Sequence, residues 1–252
     1  MGPATAEPDW SGSLVRVSEY ASCVVADAGE VSADDSPVLA AASTLLARTA
    51  RNLEAVRLLA ESGYAPESYA IARMVFEDMI DLAYIAVTPA ERAQEWCDHC
   101  IIRRVFWARV AREWDPNVPV SPEVAMASER IADQDLAARR TRGDKEWRLW
   151  PGVTRRARAR AAGMLGLYDD EYQFLSDMTH SSGFTLQLYS KSNETSDRVS
   201  PLSPQSTLRV FAARSAIEAA IQLGATASRL GLGWDVGHAS ALVDATIWSY
   251  GE

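Results

Sequence analysis

The 252-residue sequence is short of lysine, histidine and cysteine: two lysines stand against 23 arginines, with three histidines and three cysteines. Cys23, Cys97 and Cys100 are too few, and odd in number, for a disulfide framework, which fits a reducing compartment. The chain also lacks an uncharged apolar run long enough for a membrane span. Its most apolar stretch, 69–87, holds Arg73, Glu77, Asp78 and Asp81, and each charge costs roughly 2.5–3.5 kcal/mol at the centre of a membrane helix. The opening "MGPATAEPDWSGS" has neither the basic nor the apolar portion of a secretory signal. Together these absences predict a cytoplasmic protein with no membrane partner. Strand-like alternation is nearly missing. So are a phosphate-binding loop, a glycine-rich dinucleotide fingerprint and a serine-nucleophile elbow, and no cofactor is expected.

What is present is helical periodicity. Helices are expected at about 12–28, 37–62, 66–87, 89–114, from 121 onward, 153–165, 169–182, 205–230 and 236–249, with loops at 143–152 and 190–204. Gly63 closes the second, and Thr88, Pro89 and Glu91 read as a capping box opening the fourth. The expected fold is all-α, a single bundle of eight or nine helices in one domain over 1–252. The helix at about 67–87 is apolar round most of its circumference, through Ile71, Met74, Val75, Phe76, Met79, Ile80, Leu82 and Ile85, and belongs at the centre. Arg73 and Glu77, at i and i+4, share one face of it, and a charged pair there needs partners. Further along, Tyr172, Ser176 and His180 recur every fourth residue and line one side of another helix.

The net charge of −9 is unevenly spread. Residues 139–160 carry nine basic and two acidic side chains, a local excess of +7. Arginines such as Arg155, Arg156 and Arg158 form either a solvated face or a patch for RNA phosphates, with Trp147 and Trp150 placed to stack on bases. "CDHC" at 97–100 invites a metal reading. A zinc site wants four ligands, however, and no second Cys/His cluster exists, so the stretch reads as helix core without metal. Eight tryptophans and alanine-rich helices that allow close packing suggest a homodimer.

Two segments carry a family resemblance. "SYAIARMVFEDMIDLAYI" (68–85) and "WPGVTRRARARAAGMLGLYDDEYQFLSDMTHSSG" (150–183) together resemble a bacterial family known as domain of unknown function 5677, over roughly residues 40–185. The resemblance implies that the family's polar positions fall on Arg73, Glu77, Tyr172, Ser176 and His180. It names no chemistry. Arg92 and His99 also fit the loose Arg-to-His spacing of HEPN-type helical ribonucleases, a spacing that 23 arginines and three histidines produce about once by chance.

Two functions follow, beside a third reading in which the chain is a purely structural homodimer. In one, the chain is an RNA-directed, metal-independent phosphodiesterase. His180 is then the acid/base, Arg73 the stabiliser of phosphate charge and Glu77 the orienter, with Tyr172, Ser176 and the 139–160 arginines binding substrate. In the other, it is a non-catalytic helical binding or regulatory protein whose cluster is structural or holds a small ligand.

Overall fold

The computed structural model describes residues 7–122, 124–126, 153–179 and 206–249. Among them the regular structure is helical throughout, in agreement with the all-α expectation. Helix α1 spans Trp10–Ala28. Asp9 caps it by accepting from the Gly12 N–H, and it buries Leu14, Val17, Ala21 and Val24 at helical spacing. Helix α2, Pro37–Glu61, starts at the Ser36 cap and is closed by Gly63 in the left-handed region, φ 87°. Helix α3 is Ala65–Ile85 and α4 is Pro89–Trp114. Thr88 is the residue before α4, but its hydroxyl does not cap the helix. Pro89 supplies the pre-set φ, and the Arg92 N–H closes the first turn on the Thr88 carbonyl at 3.0 Å.

Helix α5, Arg155–Ala161, begins at Thr154, which accepts from the Ala157 N–H. Gly163, φ 74°, then turns the chain into α6. That helix is built of three consecutive stretches: Leu165–Leu167, a π-helical turn at Tyr168–Tyr172, and Gln173–Thr179. Helix α7 is Ser206–Arg229, and α8 is Val236–Ala241, followed by a 3₁₀ turn at Ala245–Ile247. The sequence expectation of one helix over 236–249 is therefore corrected. Asp244 breaks it by accepting from Thr246 N–H and from Asp9 N–H, which ties the end of the chain to the start of α1. Arg16 reinforces that clasp by donating to the Leu242 carbonyl at 2.7 Å. The expected loops at 143–152 and 190–204, and most of the helix expected from 121, lie outside the described residues.

The prediction for the third helix holds. Helix α3 packs against α2, α4, α5, α6 and α7, and Tyr69, Ala72, Val75, Phe76, Ile80, Leu82 and Ile85 are essentially without solvent exposure. The buried side of α7, which packs on α1, α2 and α3, is rich in alanine, Ala212, Ala213, Ala216, Ala219 and Ala220, so neighbouring helices can lie close. Gly224 serves the same end elsewhere on α7, where the Trp234 indole rests against its Cα. Among the described residues no helix is long and apolar enough to cross a membrane.

Candidate functional site

A central apolar helix cannot carry charge cheaply, so each charged group on α3 asks for an opposite charge from a neighbour. Helices on either side supply them. On one flank, Arg48 of α2 donates through Nε to Asp78 at 2.8 Å and makes a second contact through Nη2, gripping a carboxylate with no solvent exposure. On the other flank, Arg73, Glu77 and Asp81 rise along one face of α3 at intervals of four residues. The Arg73 Nε lies 3.4 Å from Glu77 Oε1. Arg155 of α5 donates through Nη1 to the same oxygen at 2.8 Å. The Tyr172 hydroxyl reaches it from α6 at 3.1 Å, and Arg155 Nη1 is also 3.1 Å from the Tyr172 oxygen. One turn on, Arg158 pairs with Asp81.

The electrostatics follow from burial. Burial pushes the Tyr172 phenol above its ordinary range, and the Glu77 carboxylate pushes in the same direction. Burial also raises the Asp81 carboxyl, while Arg158 and Arg155 pull it back. Arg155 is the reverse case: burial opposes its charge, but Glu77, Tyr172 and Asp81 more than offset that and hold the guanidinium protonated.

The sequence-predicted residues separate as follows. Arg73, Glu77 and Tyr172 come together. Ser176, on α6 one turn after Tyr172, is partly buried. His180 lies outside the described residues. Of the arginines read as phosphate-facing or solvated, Arg155 and Arg158 turn inward onto the α3 carboxylates. Arg156 is on the surface, where it grips Asp169 at 2.8 and 2.9 Å, and Arg160 is exposed as well. Arg92 is engaged at the C-terminal end of α3, donating to the Tyr84 carbonyl at 2.7 Å with its guanidinium 3.7 Å from the Tyr84 ring centre. In the CDHC stretch Cys97 is buried and Cys100 half-buried, and no group of three or more metal-ligating side chains is found among the described residues.

Asp81 and Asp78 were missed as partners. The signal for Asp81 was present, since it continues the Arg73–Glu77 spacing by one more turn. Glu171 was also missed. The π-helical turn lets it and Tyr172 both face the bundle, so that Ser215 of α7 donates to Glu171 at 3.2 Å while Tyr172 meets Glu77.

The family of unknown function DUF5677 matches residues 39–197. The chain belongs to that family. The match contains α3, α5 and α6, and therefore every side chain of the Arg73–Glu77–Asp81 cluster. Helices α1, α7 and α8 of this DUF5677 protein lie outside it, apart from the contacts they make with the matched core. No curated protein and no solved structure matches the chain.

Proposed function

We propose that this DUF5677 protein is a non-catalytic helical binding or regulatory protein, and that the Arg73–Glu77–Tyr172–Arg155 cluster with the Arg158–Asp81 pair is its internal brace. One observation carries this reading: a single oxygen of Glu77 receives both Arg155 and the Tyr172 hydroxyl, with Arg73 beside it. A carboxylate oxygen already engaged by these donors is poorly placed to orient a catalytic imidazole. Its two main donors come from different helices, so the arrangement fixes how α5 and α6 sit on α3.

The phosphodiesterase reading retains one supporting observation. The Arg73 and Arg155 end of the ladder is about a quarter exposed, whereas Arg158 is nearly enclosed. A phosphate could therefore approach the outer end only. An RNA-cleavage assay on wild type and His180→Gln separates the two readings. The brace reading expects no cleavage by either. Cleavage by wild type that His180→Gln abolishes, with melting unchanged, would establish the enzyme instead.

A further inference from the structure

The first half of α4 is anchored on α2 and α3 through Ala93 and Cys97, but its second half carries large apolar side chains into solvent. Trp107 is 56% exposed and Trp114 87% exposed. Arg103, Trp107, Val110 and Trp114 are spaced four, three and four, so they form one stripe along the helix, about 16 Å long. The Arg103 guanidinium already sits 5.5 Å from the Trp107 ring centre. Beside Trp107, against Pro119 and Val120, lies a largely apolar groove of about 340 Å³. Exposed indoles next to arginine, on a helix seam, are the side chains that dominate protein interfaces.

We propose that this stripe is where a second copy of the chain docks, with the two α4 helices antiparallel about a two-fold axis level with residues 108 and 109. The register follows from the side chains. In that arrangement each Arg103 faces the second copy's Trp114, a cation against an aromatic face, and each Trp107 faces a Val110, a large ring against a small one. A parallel pairing would instead set Arg103 against Arg103. The groove beside Trp107 lies at the level the second copy's Trp114 reaches, and it is large enough for an indole ring. A two-fold pairing also uses the same patch on both chains, as a closed dimer requires.

Sedimentation of the full chain at micromolar concentration tests this. Wild type runs as a dimer. Trp107→Glu and Trp114→Ala each weaken the dimer by at least about tenfold, the loss expected of interface anchors. Far-UV circular dichroism stays unchanged, because both side chains are exposed. The register is read separately in a Cys23→Ser background: Arg103→Cys and Trp114→Cys chains form a mixed disulfide when combined, and neither cross-links well to itself. A monomeric wild type, a dimer indifferent to both tryptophan variants, or efficient self-cross-linking of either cysteine variant overturns the proposal. So does a monomer whose tryptophan emission is quenched by single-stranded polyuridine, which would assign the stripe to nucleic acid.

Discussion

Arg158 buries its guanidinium against the Asp81 carboxylate, joining the short helix α5 to the helix at the centre of the bundle across 77 residues of sequence. Removing one member of such a pair leaves the other buried without its counter-charge. Replacing both with apolar groups does not. Arg158→Met should therefore cost about 3 kcal/mol, lowering the melting temperature by roughly 6–12 °C for a chain of this size. The double variant Arg158→Met/Asp81→Leu should recover most of that loss. Thermal denaturation of the three proteins checks it.

The same variant should show a particular pH dependence. Burial raises the Asp81 carboxyl, and in wild type the Arg158 charge opposes the rise. Without Arg158 the folded value climbs further above the unfolded one. A carboxyl raised in this way contributes stability that is complete below its unfolded value, at about pH 4, and is lost as pH rises through the folded value. Arg158→Met should thus lie nearest to wild type in acid and fall further behind toward neutral pH. Denaturant melts at several pH values measure the difference.

Thiol reactivity should follow burial. Cys23 is exposed, Cys97 is buried with its thiol pushed up, and burial raises Cys100 to about 11. Since the thiolate is the reacting species, a chromogenic disulfide reagent at mildly alkaline pH should modify one thiol quickly and two slowly. Cys23→Ser should remove the fast phase alone.

Packing at α7 gives a sharper structural test. A methyl group at position 224 would fall inside the Trp234 indole, which also packs on Tyr20 at 4.8 Å between ring centres. Gly224→Ala should destabilise the fold by about 1–3 kcal/mol through overpacking, against the gain an alanine usually brings to a helix interior. Near-ultraviolet circular dichroism should change with it, as Trp234 is displaced.

Much of the fold was legible because it rests on periodicity. The apolar circumference of α3 announced its central place, and the i, i+4 spacing of Arg73 and Glu77 announced a shared face. The inward turn of Arg155 and Arg158 was not legible. Their positions on a short arginine-rich helix look the same whether the helix faces water, phosphate or protein, and the carboxylates that draw them inward are more than 70 residues away. The π-helical turn at 168–172 was hidden for a related reason. Helical periodicity assumes a constant 3.6 residues per turn, and one widened turn re-aims Glu171 and Tyr172 without altering the residues themselves. The break at Asp244 depends on its contacts with Asp9 and Thr246, one of them at the other end of the chain.

In the proposed function, Glu77 and Arg155 act together as a brace between α3 and α5. The direct measurement is a double-mutant cycle in denaturant: wild type, Glu77→Gln, Arg155→Met and the two combined. Each single change should lower stability, and the combined change should cost less than their sum, with a coupling on the order of 1 kcal/mol or more. Strictly additive losses, with coupling within about 0.3 kcal/mol of zero, would show that the two residues do not act as a brace.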